Sequence, residues 1–191
     1  MKTTFFTGNG DNGSSSFGNK KIKKGNVLFE FLGNFDELNS WIGFCRVGAL
    51  QTFKNDAKGI LVLDSLKNLQ EDLFIAQAEI ASIGFSYEIK KINRITELKT
   101  ARLEKTIWEI DSLLPTIRNF ILAGGSELSA RLDIARAIAR RVERSAVIFE
   151  KHAEISKDFL QFLNRLSSLL FALARYTNYL LGIQEEHPQY K

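Results

Sequence analysis

Most of the chain after residue 60 carries apolar residues in alternating steps of three and four. This spacing places side chains on one face of a helix, so each run predicts an amphipathic helix. One run spans residues 66–83, and a second spans residues 103–114 and should end at Pro115, which cannot continue a helix. Two further runs cover residues 132–149 and 159–180. The pattern predicts four long helices in this part of the chain.

A fifth helix is predicted upstream of these runs. Asn34 is followed three residues later by Glu37, which is the spacing of a capping box at the start of a helix. Alternation typical of a strand is confined to a few residues near Phe5 and to residues 27–31. Strands therefore have little part in the predicted fold.

Five helices joined by short connections are typical of an antiparallel bundle with the up-and-down packing of ferritin-like four-helix proteins. Six of the thirteen glycines precede residue 34, whereas long stretches after it contain no helix breaker. We therefore expect an all-α fold in a single domain. It divides into an N-terminal loop segment over residues 1–33 and a helical bundle over residues 34–185.

Composition and charge narrow the classes of function. The 191 residues carry a net charge of +4, and the basic residues are not clustered with aromatic ones, so we expect no nucleic-acid partner. Cys45 is the single cysteine, which excludes a disulfide framework and a thiolate metal site. His152 and His187 lie far apart in the sequence, so no dedicated side-chain metal cluster is expected. Mg²⁺ that arrives with a nucleotide stays open.

The location of the protein is predicted from the same features. No stretch approaches the apolar length that spans a bilayer, so no membrane partner is expected. The glycine loop follows the N-terminus too closely to leave room for a signal peptide. Together with the lone cysteine, these features predict a cytoplasmic protein.

A row of arginines marks the helix predicted around residue 140. Arg136, Arg140 and Arg144 are spaced by four, so their guanidinium groups project from one face. Like charges at this spacing destabilise a helix, and a triphosphate would offset them because guanidinium groups match phosphate oxygens. The alternative is a surface helix whose arginines pair with Asp133, Glu143 and neighbouring chains. Both interpretations stay open on this segment alone.

The N-terminal segment is a candidate nucleotide-binding loop. Residues 7–16 combine glycines with hydroxyl side chains, and backbone N–H groups of such a loop can surround a phosphate chain. The basic run Lys20–Lys24 could add charge to the same ligand. The loop is not of the Walker A type, since no Gly-Lys-Ser/Thr ends it. A disordered polar leader is the alternative interpretation.

Six short blocks follow one another along residues 5–180. They are Thr7-x-x-Gly10-Asp11-x-Gly13; Gly33-x-x-Asp36-Glu37-Leu38-Asn39-Ser40-x-Ile42-Gly43; Leu69-Gln70-x-Asp72-Leu73-Phe74; Phe120-Ile-Leu-x-Gly124-Gly125-Ser126; Ala135-Arg136-x-x-x-Arg140-Arg141-x-Glu143-Arg144; and Leu163-Asn164-Arg165-Leu166-Ser167-x-Leu169-x-Phe171-x-x-Ala174-Arg175. In this order the blocks resemble the propanediol-utilisation-type ATP:cob(I)alamin adenosyltransferases. Any one block is weak evidence for this family, but the six blocks together are a specific signature of it.

The resemblance implies a five-helix bundle that forms a homotrimer with each active site between two subunits. It also implies the reaction, in which Co(I) of reduced cobalamin attacks C5′ of ATP and yields adenosylcobalamin and triphosphate. ATP, cobalamin and Mg²⁺ would bind, and a corrinoid-dependent enzyme could accept the product. Co(I) is itself a strong nucleophile, which fits the lack of a recognisable Ser-His-Asp or Cys-His set.

The resemblance also assigns residues to the site. Those assigned to ATP are Thr7, Gly8, Asn9, Gly10, Ser15, Ser16, Lys24, Arg140, Arg141, Glu143, Arg144 and Asn164. Lys24 is assigned by counting back from Gly33. Lys23 is the alternative, because this loop is one residue shorter than the loop of the family pattern.

Two further roles are implied by the same resemblance. Phe120 and Arg140 would be catalytic, with Phe120 excluding the lower axial ligand of the corrinoid so that a four-coordinate, more easily reduced Co(II) species forms. Asp36 and Arg136 would form an ion pair between subunits. The alternatives are that Phe120 is a core residue and that the two charges have no partner.

Four positions depart from the family pattern. Gly8 stands in place of Lys or Arg, Ala123 in place of proline, Asp133 in place of histidine, and Ser168 in place of aspartate. Asp133 could divert Arg136 or Arg140 into a pair within the chain. These departures motivate a second hypothesis, a catalytically weak trimeric module that binds ATP or adenosylcobalamin as a carrier or sensor. A purely structural bundle is the third.

Overall fold

The computed structural model of the protein describes residues 5–17, 20–54, 56–83 and 92–190. Five helices dominate it: α1 (Val27–Phe53), α2 (Ile60–Ile83), α3 (Glu97–Asp111), α4 (Glu127–Phe149) and α5 (Lys157–Leu180). A single 3₁₀ turn, Ala57–Gly59, precedes α2. Two short antiparallel strands, β1 (Ser14–Phe17) and β2 (Lys20–Lys23), precede α1. The predicted all-α bundle is confirmed.

Polar side chains cap three of the helices. Asn26 accepts a hydrogen bond from the backbone of Leu28 at the start of α1. Ser126 and Ser156 do the same for α4 and α5, each accepting from the N–H three residues later. Each bond satisfies a backbone donor that the first helical turn leaves without a partner. These caps fix where the helices begin.

The predicted start of the first helix is wrong. α1 begins at Val27, so Asn34 lies inside the helix, and the boundary predicted at residue 33 falls within it. Asn34 is buried, and its side-chain amide donates to Ser145 Oγ of α4 at 3.1 Å. Residues 27–31, whose alternation of apolar and polar residues is typical of a strand, instead form the start of α1. A buried asparagine that joins two helices reproduces the capping-box spacing by coincidence.

The N-terminal segment is more ordered than an unstructured polar leader would be. β1 and β2 pair with Ser14 opposite Lys23, a hairpin that the sequence did not predict. Gly13 adopts a φ of +74°, which favours glycine, and its carbonyl accepts a hydrogen bond of 2.9 Å from the Lys24 backbone. The hairpin thereby fixes residues 10–13 relative to Lys24.

The helices form an up-and-down bundle. α1 packs between α2 and α4, and α5 packs between α4 and α3. Asn34, near the start of α1, bonds Ser145 near the end of α4, whereas Asn178, near the end of α5, bonds Ser126 at the start of α4. α4 therefore runs opposite to both of its neighbours. Buried alanines of α4, including Ala135 and Ala139, leave room for this close packing.

Charged groups join α2 to α3. Asp72 has 2% of its side chain exposed and pairs with Lys99 at 2.6 Å and with Arg102. Two turns later, the buried Glu79 accepts a hydrogen bond of 2.7 Å from the Ile95 backbone. Burial raises the pKa of Glu79, while that hydrogen bond and the nearby Arg94 partly offset the effect. Both carboxylates therefore support the architecture.

Two findings limit the available chemistry. Cys45 is fully buried, and this burial raises the pKa of its thiol to about 12, so it is a poor nucleophile. In the described ranges, no three or more His, Cys, Asp and Glu side chains are grouped as metal ligands would be.

None of the helices in the described ranges combines the length and hydropathy that a bilayer crossing needs.

Candidate functional site

The arginines near the start of α4 have partners within the chain. Arg131 pairs with Glu127, donates to the Phe44 carbonyl and lies 3.8 Å from the centre of the Phe44 ring. Arg136 Nε lies 3.2 Å from Asp133 Oδ1. The predicted diversion of Arg136 by Asp133 is therefore confirmed.

The arginines further along α4 divide into two kinds. Arg141 pairs with Glu37 of α1, and both side chains are nearly half exposed. Arg140 and Arg144 are exposed and, among the described residues, have neither a hydrogen-bond partner nor an ion-pair partner. Neither of these two pairs with Asp133 or Glu143 in the described part of the chain, and the alternative of pairing with neighbouring chains stays open for them. An anion can bind them without breaking an existing pair.

Glu143 and Asn164 lie together, although they belong to different helices. The Asn164 amide donates to Glu143 Oε1 at 2.8 Å, and Arg165 Nη1 donates to Asn164 Oδ1 at 2.6 Å. Arg165 in turn bonds Glu104 of α3 at 2.7 Å. This chain of bonds orients the asparagine next to the arginines of α4. The roles of Arg165 and Glu104 were missed, because the partners are distant in sequence.

Phe120 lies on the segment between α3 and α4, and 79% of it is exposed. The alternative that it is a core residue is therefore wrong. It lines a groove of about 450 Å³ together with Arg136, Arg140, Ser168 and Phe171. The structure thus combines an apolar ring, two guanidinium groups and the hydroxyl of one departing position. Phe171 belonged to a recognised block but had not been identified as a groove residue.

The glycine loop and Lys24 lie together. Asp11 N–H bonds the Gly8 carbonyl and Gly13 N–H bonds the Gly10 carbonyl, each at 3.2 Å, which folds the loop into two turns. A Cβ atom at Gly10 would lie 2.9 Å from Lys24 Nζ, so the ammonium group rests against the loop. Lys24 is therefore a lysine in contact with the loop, and its assignment to ATP stays a prediction.

The other predicted loop residues differ in exposure. Thr7, Gly8 and Asn9 are exposed, and Thr7 Oγ1 accepts a weak bond of 3.4 Å from the Asn9 backbone. Ser16 is exposed, whereas Ser15 is only half-buried. Gly8 has a φ of +73°, which disfavours the lysine or arginine of the family pattern.

Some predicted site residues are not joined in the single chain. No hydrogen bond or ion pair in the described part links the glycine loop to Arg140 or Arg144. Asp36 is exposed, and Arg136 pairs with Asp133 rather than with Asp36. Both predicted associations were placed between subunits, so they stay predictions.

The glycine pair before α4 forms a fixed turn. Gly124 and Gly125 have φ values of +115° and +95°, and a Cβ atom at Gly125 would collide with Asn178. Asn178 donates to the Gly124 carbonyl at 2.7 Å and accepts from Ser126 N–H at 3.1 Å. Asp133 accepts from Gly124 N–H at 3.1 Å. Asn178 and Asp133 therefore hold the turn in which Ala123 replaces proline.

Comparison with known proteins identifies the family of this fold and site. The family model for cobalamin adenosyltransferase matches residues 5–177. A corrinoid adenosyltransferase of Mycobacterium leprae is 37% identical over 92% of each chain, and one of Bacillus subtilis is 34% identical over 93% of this chain and 88% of its own.

A solved structure gives the same result. It is a variant PduO-type ATP:corrinoid adenosyltransferase from Lactobacillus reuteri complexed with cobalamin and ATP, and it aligns with a TM-score of 0.87 at 30% identity over 97% of each chain. A second variant of that protein, complexed with ATP, aligns with a TM-score of 0.85 at 30% identity over 97% of this chain and 100% of its own. This chain belongs to the cobalamin adenosyltransferase family.

Proposed function

We infer that the protein transfers the 5′-deoxyadenosyl group of ATP to cob(I)alamin, yielding adenosylcobalamin and triphosphate. In this step the Co(I) electron pair forms the bond to C5′, and the C5′–O bond breaks with its electrons leaving on triphosphate. The family membership and the relatives' activity support this function over a binding module without chemistry. Because cobalt is the nucleophile, the protein needs no catalytic base. Its tasks are to bind ATP and the corrinoid, to align C5′ with cobalt and to exclude water from the site.

The observation that carries the proposal is that the guanidinium groups of Arg140 and Arg144 are exposed and have no partner among the described residues. The leaving triphosphate gains negative charge in the transition state, and preorganised cations stabilise it there. Arg141 can join them by exchanging its exposed Glu37 for phosphate, since such surface pairs contribute little stability. Arg140 also lines the Phe120 groove, so it would act closest to the reacting centre.

The glycine loop contributes the second set of phosphate contacts in this proposal. Thr7, Gly8, Asn9 and Gly10, with Ser15 and Ser16, present backbone N–H groups and hydroxyls, and the Lys24 ammonium lies against them. We place this loop opposite the arginines of a neighbouring subunit, because no bond joins the two sets within the described ranges of one chain. A homotrimer with three such interfaces, each closed by Asp36 and the neighbour's Arg136, completes the proposal.

Glu143 and Asn164 would complete the nucleotide site. Their mutual hydrogen bond leaves the second carboxylate oxygen of Glu143 for a ribose hydroxyl or for water on Mg²⁺. Mg²⁺ would be held chiefly by the triphosphate. This agrees with the described residues, among which no three His, Cys, Asp or Glu side chains are grouped as metal ligands would be. Its bound charge would help to neutralise the leaving group.

Phe120 supplies the corrinoid side of the site in this proposal. Its exposed ring would lie at the lower face of the corrinoid, where it offers no donor atom to cobalt and excludes water and the lower base. Removing an electron-donating axial ligand makes Co(II) easier to reduce to the Co(I) nucleophile. Ser168, which lines the same groove, offers a hydroxyl on this side in place of a carboxylate.

The setting of the reaction follows from its chemistry. Cob(I)alamin is strongly reducing, and a reducing cytoplasm suits both this substrate and the lone thiol of Cys45. Adenosylcobalamin would pass from the groove to a corrinoid-dependent acceptor enzyme.

The test is a direct assay. The protein is mixed anaerobically with ATP, Mg²⁺ and chemically reduced cobalamin, and the absorbance of the new Co–C bond is followed together with released triphosphate. We expect equal amounts of adenosylcobalamin and triphosphate. ATP binding without either product would reject the transferase function and support the binding module.

A further inference from the structure

The segment that carries Phe120 has no regular secondary structure. It runs over residues 115–123, between α3 and α4. Within the described ranges, its single backbone–backbone hydrogen bond is donated by Leu122 N–H to the Glu186 carbonyl at 2.8 Å. The Phe120 ring is largely exposed and so gains little from packing. The position of the ring therefore depends on what holds this backbone.

Residues 183–190, here called the C-terminal strap, hold that backbone at two points. One is the bond from Leu122 to Glu186. The other joins His187 Nδ1 to the carbonyl of Phe120 itself at 2.8 Å, with the ring donating in its Nδ1–H form. The strap thus contacts the Phe120 peptide and the peptide two residues beyond it.

Arg175 of α5 ties the strap to the bundle. Its side chain is only 5% exposed, and its Nε and Nη2 donate to the two oxygens of Glu185 at 2.5 and 3.0 Å. Nη2 also donates to the Pro115 carbonyl at 2.9 Å, at the first residue of the Phe120 segment. A guanidinium fork on a carboxylate fixes both groups in one plane.

We propose that Arg175 and Glu185 are positioning residues for the adenosyl transfer, which hold Phe120 in its working position through the strap. This inference rests on the proposed function, in which Phe120 excludes the lower axial ligand. Neither residue lines the Phe120 groove, so each acts through the backbone of residues 115–123. Loss of the Glu185 charge leaves a buried guanidinium without its carboxylate, and the strap loses its side-chain attachment to α5. Among the described residues, it keeps only the backbone bond from Ile183 N–H to the Asn178 carbonyl at its start.

The test compares Glu185→Gln with Glu186→Gln in the full chain. Both substitutions replace a carboxylate by an amide in the strap, but the exposed Glu186 side chain has no bonding partner among the described residues. The kcat, the KM for ATP, the melting temperature and the EPR spectrum of bound cob(II)alamin with ATP are measured. Nitrogen splitting in that spectrum reports whether the lower base remains on cobalt.

We expect Glu185→Gln to lower kcat about tenfold and to restore nitrogen splitting in part, because a small displacement of an aligning group slows the reaction strongly. The KM for ATP should stay within about twofold, since the phosphate contacts are elsewhere. Glu186→Gln should match the wild type throughout. Arg175→Lys, which keeps the positive charge but loses the fork, should reproduce the effect of Glu185→Gln.

The outcomes separate the two proposals. If the wild-type protein keeps the lower base on cobalt, the role proposed for Phe120 fails and this inference fails with it. If the wild type displaces the base and Glu185→Gln does so equally, with unchanged kcat, the positioning role is overturned while the transferase function stands. A fall in kcat that follows the melting temperature, with an unchanged EPR spectrum, also overturns it.

Discussion

The two halves of α4 carry the same residue type in different states. Arg131 and Arg136, towards its start, are bonded to Glu127 and Asp133 and lie near aromatic rings. Arg140 and Arg144, towards its end, are exposed without a partner in the described part of the chain. The i, i+4, i+8 spacing suggested one uniform row, but the structure divides it into cations that support the fold and cations available to a ligand.

The difference shows how pairing assigns a role to a charged residue. A guanidinium with a carboxylate partner inside the chain must exchange that partner before it can bind a phosphate, which reduces the gain. An unpaired guanidinium gives up only water and screening ions. The second half of α4 is therefore the part from which we expect large effects on nucleotide binding.

The largest effect is expected for Arg140→Ala. Removing this group should weaken ATP binding by about 2–4 kcal/mol, the cost typical of losing one partner of a desolvated charge pair. Folding should stay near normal, because Arg140 has no bonding partner in the described part of the chain. Calorimetric titration with ATP, together with thermal denaturation, measures both.

Arg131→Ala is the matched control in the same helix. Loss of its pair and of its contact with Phe44 should destabilise the protein by about 1 kcal/mol. ATP affinity should be unchanged. Equal ATP affinities for Arg140→Ala and Arg131→Ala would refute the division of α4.

Asp133→Ala tests the paired half. Asp133 accepts bonds from Arg136 and from Gly124 N–H, so its removal should destabilise the protein by about 1–3 kcal/mol. Urea denaturation measures the change. Asp133→Asn, which keeps an acceptor for Gly124 N–H, should lose less stability than Asp133→Ala. An unchanged urea midpoint in both variants would show that the pair contributes nothing to the fold.

Glu37→Gln tests the intermediate case. Its pair with Arg141 is nearly half exposed on both sides, so stability should fall by no more than about 0.5 kcal/mol. Arg141 then has no carboxylate to give up, and ATP affinity should rise slightly. A weaker affinity, measured by the same titration, would mean that Glu37 orients Arg141 for the ligand.

The smallest effect concerns Glu79, a buried carboxylate that has no ion-pair partner among the residues that the structure describes. Its folded pKa is raised above the ordinary 4.5, so its contribution to stability is present below pH 4.5 and is lost as the pH rises through the raised value. Asp158 acts in the same direction as burial, whereas Arg94 and the Ile95 N–H oppose it. Glu79→Gln should remove this pH dependence.

Urea midpoints measured at about pH 5 and pH 8 test this expectation. The urea midpoint of Glu79→Gln, relative to that of the wild type, should be higher at about pH 8 than at about pH 5. The same difference from the wild type at both pH values would contradict the raised pKa.

The sequence predicted the bundle because helical periodicity is a property of neighbouring residues. It misplaced the start of α1, because only the fold shows that Asn34 is buried against Ser145. The family blocks assigned site roles to Phe120 and to the arginines of α4, and these roles stay predictions. The bonds from Asn164 to Glu143, from Arg165 to Glu104 and from Arg175 to Glu185 were not predictable, because they join positions from ten to sixty-one residues apart.

The central claim is that Lys24 of one subunit and Arg140 of its neighbour bind the same triphosphate. Lys24→Ala and Arg140→Ala chains are co-expressed, and the adenosylcobalamin formed by the mixed oligomers is measured at an ATP concentration at which neither variant alone forms product. If each site joins two subunits, about a quarter of the sites regain both residues, and activity returns in that proportion. If both residues act from one chain, no mixed oligomer has an intact site, and the absence of activity would contradict the claim.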